Sequence, residues 1–220
     1  MKQLPNKKSA FNPKLKQQNV LKGWHKLLFL SPILLILFIY KGYDYYIDYK
    51  LKYNGVNTWA KVTRISLSGI RDEFENNNIE FTYRINDSTY FGYTMQTTNH
   101  RYVISDLDIP IFPGQEYQLT YVKDNPSICQ INFSKPNVKT VLMYLNDISK
   151  IIRHIEHCDS LQSWCIAYSV FKQHQFEGLA QLYFYDEYTV ENFKHNKDTF
   201  TKFWQSSDIK AIKNKCLVKE

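Results

Sequence analysis

Apolar and polar positions alternate without error from Ile79 to Ile85, the mark of a half-buried strand. Asn86-Asp87-Ser88 then supplies turn chemistry, and Thr89 to Met95 is again rich in strand formers, so the two stretches predict a hairpin. Upstream, Trp59 to Leu67 is a strand candidate, joined to the hairpin by the polar stretch 71–78. Downstream, Pro113-Gly114 marks a turn before Tyr117, Leu119 and Tyr121. Asp124-Asn125-Pro126-Ser127 marks the next, before Cys129, Ile131 and Phe133. Five short strands predict a small antiparallel β barrel or sandwich over 55–135.

From Pro136 onward the period changes. Val141, Tyr144, Leu145, Ile148, Ile151, Ile152 and Ile155 recur at three- and four-residue steps, which places one apolar stripe on a helix. Asp159-Ser160 caps a second helix whose expected stripe is Leu161, Trp164, Cys165, Tyr168 and Phe171. Gln175 to Gly178 breaks it, Leu179 to Tyr185 fits strand or helix, and Asp198–Trp204 and Asp208–Leu217 read as short closing helices. Residues 136–220 are thus a helical region, and the fold class is α+β.

At the other end, Leu27 to Tyr40 is free of charge. A helix of that length is about 21 Å long, against a hydrocarbon core of about 30 Å. Trp24 and Lys26 on one flank, and Tyr40 and Tyr43 on the other, have the character of a membrane interface, so 24–46 reads as a transmembrane anchor. No small-residue cleavage site follows it. Six lysines in 7–26 against three in 41–60 orient the N-terminus to the cytoplasm and the body outside it.

Charge refines this picture. The chain carries +7, but seven of its 28 basic residues lie in 1–40 with no acidic residue there, leaving 21 basic against 21 acidic beyond. Residues 1–23 are a disordered basic tail suited to anionic lipid, and the neutral body argues against nucleic acid. The expected partners are the lipid bilayer and a protein in the membrane or envelope; the oligomeric state is left open.

Candidate chemistry is sparse. His154, His157, Cys158 and Cys165 have the types of metal ligands, but at about 100° per residue Cys158 and His157 diverge, so no metal site is assigned. Four cysteines (Cys129, Cys158, Cys165, Cys216) allow three pairings or none. Asp106 with Asp108, and Asp186 with Glu187, read as solvated loop acids. No nucleophile elbow, phosphate loop or dinucleotide fingerprint occurs. No catalytic residue and no cofactor is expected.

Ala60-Lys61-Val62, Phe81 to Ile85 with Tyr90, Pro113-Gly114, Leu119-Thr120-Tyr121 and Asn125-Pro126 follow one another along the β region. In this order they resemble a bacterial family of unknown function that places a small β domain beside transmembrane helices. The resemblance implies architecture and no active site. Taken together, the sequence points to a membrane-anchored envelope protein, a non-enzymatic binding or scaffolding module. The alternative is an enzyme with a site at the β–α junction, around His154 or Asp147.

Overall fold

The computed structural model describes residues 32, 35, 36, 38–68, 75–98, 102–187 and 194–217. The chain divides into two compact units, Met1–Lys52 and Tyr53–Glu220.

Residues 38–54 form helix α1, most of it in the first unit. Lys41, Asp44, Asp48, Lys50 and Lys52 punctuate it. Among the described residues no helix is long and apolar enough to cross a membrane. This corrects the expected anchor over 24–46: the charge-free run is shorter than a span requires, and its continuation is charged at every turn. Trp24 and Lys26 lie outside the described residues; Tyr40 and Tyr43 sit on α1, exposed. The transmembrane part of the expected fold class, the bilayer as partner, the single-pass placement and the envelope role all rested on that anchor and fall with it.

The second unit is α+β, a curled antiparallel sheet followed by helices. All five expected strands are present: β1 (Gly55–Ser68), β2 (Glu75–Ile85), β3 (Ser88–Thr98), β4 (Glu116–Val122) and β5 (Asn125–Pro136). The sheet order is β3-β2-β1-β4-β5. β1 serves two neighbours: residues 55–61 pair with β4, and 60–68 pair with β2 past an irregularity between Val62 and Arg64. A long strand bulged where its partners change bends the sheet on itself. β3 and β5, the two ends of the order, lie beside one another and run in the same direction, as in a partly open five-stranded OB-type barrel. The inward rows meet in a core of Val62, Ile79, Phe81, Tyr117, Leu119 and their neighbours.

Four helices follow: α2 (Val138–Glu156), α3 (Ser160–Tyr183), α4 (Lys197–Trp204) and α5 (Ser207–Leu217). Asn137 caps α2 by accepting from Thr140 N at 2.8 Å, and its Nδ2 donates to Glu116 Oε2 at 2.6 Å. Thr140 Oγ1 accepts from Glu116 N at 2.6 Å and donates to Glu116 O at 3.0 Å, fastening the first turn of α2 to the start of β4. The stripe expected on α2 is correct: Tyr144, Leu145, Ile148 and Ile152 are buried.

The cap at Asp159 is also as expected, with Asp159 Oδ1 accepting from Gln162 N and Gln162 Oε1 accepting from Asp159 N. The stripe on α3 is rotated from its expected place. Leu161 is 82% exposed and Tyr168 52%, while Ser163, Ile166, Ala167 and Val170 are buried. Small side chains at 163 and 167 permit close approach of the neighbouring helix, and that contact outweighs the larger apolar residues on the other face.

Cys165 of α3 and Cys216 of α5 are joined in a disulfide, and Cys129 and Cys158 are free. The bond closes a loop of 51 residues, for which loop-closure entropy suggests a stabilisation of about 4 kcal/mol. Cys165→Ser combined with Cys216→Ser is therefore expected to lower the urea midpoint by about 1–4 M, that free energy divided by a slope of about 1–3 kcal/mol per molar, whereas Cys129→Ser should shift it far less. Equal shifts in urea titration would contradict the pairing.

A buried phenol chain joins barrel to helices: Tyr117 Oη lies 2.6 Å from Tyr144 Oη and donates to Gln115 Oε1 at 2.8 Å. Burial pushes the pKa of Tyr117, Tyr144 and Tyr183 far above the ordinary phenol value. Raised folded-state pKa values leave stability intact below the unfolded value near 10. Above it the unfolded state loses protons that the fold retains, costing about 1.4 kcal/mol per pH unit per group. In a phenolate absorbance titration these tyrosines should ionise together with unfolding, after the exposed ones; a single smooth step without unfolding would count against the buried chain.

Candidate metal centre

The segment between β3 and β4 folds into a small hairpin that ends in a tight turn. Ile111 N donates to Val103 O at 2.8 Å and Ser105 N to Ile109 O at 2.9 Å. Gln96 of β3 clamps the hairpin from the side, its Nε2 donating to Ile104 O and its Oε1 accepting from Ile104 N. At the tip, buried Ser105 accepts through Oγ from the N–H groups of Leu107 and Ile109, and Asp108 N donates to Ser105 O at 2.9 Å. The turn closes with Asp108 in the left-handed region at φ 57°, a conformation that Asp tolerates better than most residues. Its carboxylate is thereby held on the surface of the helical part.

Two further segments meet it there. Helix α3 kinks at Gln175 (φ 54°, ψ −145°), three residues before Gly178. A Cβ at Gly178 would stand 2.7 Å from His174 Cβ and 2.8 Å from Val170 Cγ1, so glycine allows the helix to resume hard against its own preceding turn. Glu177 sits between kink and glycine. From the other side, Asn196 caps α4 by accepting from Asp198 N and Thr199 N, which puts His195 at the threshold of that helix. The imidazole is fully buried and lies parallel to the Phe184 ring, centroids 6.2 Å apart.

His195 Nε2 is 3.3 Å from Asp108 Oδ2 and 4.0 Å from Glu177 Oε1. One ligand atom from each of the three residues lies within 4.8 Å of the others, a group that meets metal-binding geometry among the described residues. Lys194 Nζ reaches Asp108 Oδ2 at 2.7 Å and Glu177 Oε2 at 3.1 Å from a largely exposed side chain. The hydrogen bond to Asp108 raises the Lys194 pKa. Burial lowers that of His195, and the hydrogen bond to Asp108 opposes the shift only in part. The imidazole is accordingly neutral near pH 7, the form in which a ring nitrogen donates a lone pair to a metal.

The arrangement corrects the expectation of a non-enzymatic module: a buried imidazole facing two carboxylates has donors that could hold a metal ion, as a catalytic site would need. Of its members only Asp108 stood out in the sequence, as a solvated loop acid. The sequence-derived cluster does not assemble. His154 and His157 are exposed, Cys165 is in the disulfide, and Glu156 accepts from Trp204 Nε1 at 2.7 Å and Lys213 Nζ at 3.0 Å. Asp147 pairs with Lys150 at the surface.

No family model, curated protein or solved structure matches the chain, so the resemblance to the bacterial β-domain family does not extend to membership.

Proposed function

We propose that the chain binds a divalent metal ion of the zinc class through His195 Nε2, Asp108 and Glu177, and that this centre performs metal-assisted hydrolysis. The observation that carries the reading is the convergence of three ligand atoms from three separate segments. In a tetrahedral site with bonds of about 2.1 Å, ligand atoms stand about 3.4 Å apart. The His195–Asp108 separation of 3.3 Å already suits this, and Glu177, on the solvent side, needs only a small rotation from 4.0 Å.

Three protein ligands leave a fourth position for water, whose pKa a zinc-class ion lowers towards 7. Exposure of Glu177 leaves that position accessible to a substrate. Lys194 now neutralises both carboxylates, and a metal ion would displace its ammonium into solvent. Afterwards the same lysine stands beside the open position, suited to an anionic group on a substrate.

Those two ion pairs also favour a second reading, in which Lys194, Asp108, Glu177 and His195 form a latch that ties the β3–β4 hairpin to α3 and α4. The readings separate in one experiment on the full chain stripped with chelator and titrated with Co²⁺. The metal reading expects stoichiometric binding with visible absorbance of a four- or five-coordinate ion, abolished by His195→Ala and by Asp108→Asn. Lys194→Met should tighten binding by up to about fivefold, the worth of a surface ion pair near 1 kcal/mol. The latch reading expects no saturable absorbance, and a lower melting temperature for Lys194→Met.

A further inference from the structure

Helix α1 leaves most of its apolar surface uncovered. Ile39, Tyr43 and Tyr46 are 64%, 58% and 47% exposed, and Ile36, also helical, is exposed just before them. Steps of three, four, three and four residues lead from Ile36 to Ile39, Tyr43, Tyr46 and Lys50. That is the spacing of a heptad repeat, with Ile36, Tyr43 and Lys50 at a positions and Ile39 and Tyr46 at d. The charges obey the same repeat. Lys41 and Asp48 fall at f, Asp44 at b and Lys52 at c, all away from the seam. The flanking e and g positions, Tyr40, Gly42, Ile47 and Tyr49, carry none. Lys50 is the exception on the seam, and its ammonium lies over the Tyr46 ring, 5.6 Å from the centroid.

This pattern selects what covers the seam. A different partner helix is chosen by charges at e and g, and α1 has none there. A second α1 needs none: an in-register parallel pair sets each seam residue against its own copy, Ile39 on Ile39 and Tyr46 on Tyr46. Lys50 then specifies the register. In register the two ammonium groups share one layer and reach outward along their stems. A shift of one heptad would set one Lys50 on Tyr43 and carry the other past the end of α1, losing a layer of the seam. The area suffices for a specific but weak contact. Ile36, Ile39, Tyr40, Tyr43 and Tyr46 are each roughly half to two-thirds exposed, so two copies bury about 1,000 Å² between them, near the low end of specific interfaces.

We infer that α1 is a self-association helix, which pairs with α1 of a second copy of this chain as a parallel two-stranded coiled coil. Ile36, Ile39, Tyr43 and Tyr46 form the seam, and Lys50 fixes the register. All residues of the metal centre belong to the second unit, so this association and the proposed hydrolysis stand or fall separately.

The test is sedimentation velocity on the full chain from low to high micromolar concentration, paired with disulfide trapping of single-cysteine variants in which Cys129 and Cys158 are replaced by serine. The mass should rise with concentration from that of one chain to that of two. Tyr46→Glu, which sets two carboxylates in one apolar layer, should weaken dimerisation more than about tenfold, while Asp48→Asn at f should leave it unchanged. On oxidation Tyr46→Cys should give a covalent dimer, and Asp48→Cys none above the parent. Both side chains are exposed and lie outside the second unit, so its melting temperature should not move. A monomer throughout the range, association that Tyr46→Glu and Asp48→Asn disturb alike, equal trapping at 46 and 48, or association that requires added phosphatidylcholine vesicles would each overturn the inference.

Discussion

The second unit depends on one short stretch of chain that belongs to two cores at once. Val103 and Ile111 are buried in the barrel, while Ile109, two residues from Ile111, is buried among the helices. A segment pinned in both cannot shift without opening one of them, and each buried aliphatic side chain contributes about 1.5–3 kcal/mol to holding it. Its backbone is also hydrogen-bonded internally and clamped by Gln96. The tip that carries Asp108 is consequently anchored to both cores, although its residues have the composition of a loop.

The partners of Asp108 are held by equally local devices. A kink and a glycine in α3 aim Glu177, and an asparagine cap delivers His195 to the entrance of α4. Behind them the disulfide ties α3 to α5, and Tyr117 with Tyr144 joins β4 to α2 through a buried hydroxyl pair. Burial of His195 has a chemical consequence as well as a structural one. It favours the neutral imidazole, and the Nε2 proton facing the Asp108 carboxylate and the ammonium of Lys194 are what a metal ion would displace there.

Local pattern made much of this fold readable. The five strands and the stripe of α2 follow from periods of two and 3.6, because each of those elements buries one face against a continuous core. The phase of α3 was not readable, since Ser163 and Ala167 reach the interior by being small rather than apolar. The anchor failed for a related reason: apolar character was concentrated in a run shorter than a span, and the helix that continues it carries five charges. The site was hidden by distance, with His195 lying 87 residues from Asp108. Two local signals existed, the Ser105–Asp108 turn and the Asn196 cap, but neither states which segments will meet.

Convergence of the three segments on a metal ion can be checked by anomalous diffraction at the zinc edge from crystals soaked in zinc. One strong peak is expected about 2.0–2.2 Å from His195 Nε2 and from oxygens of Asp108 and Glu177, with Lys194 turned away. A map with no peak there, and with Lys194 still bridging the two carboxylates, would contradict it.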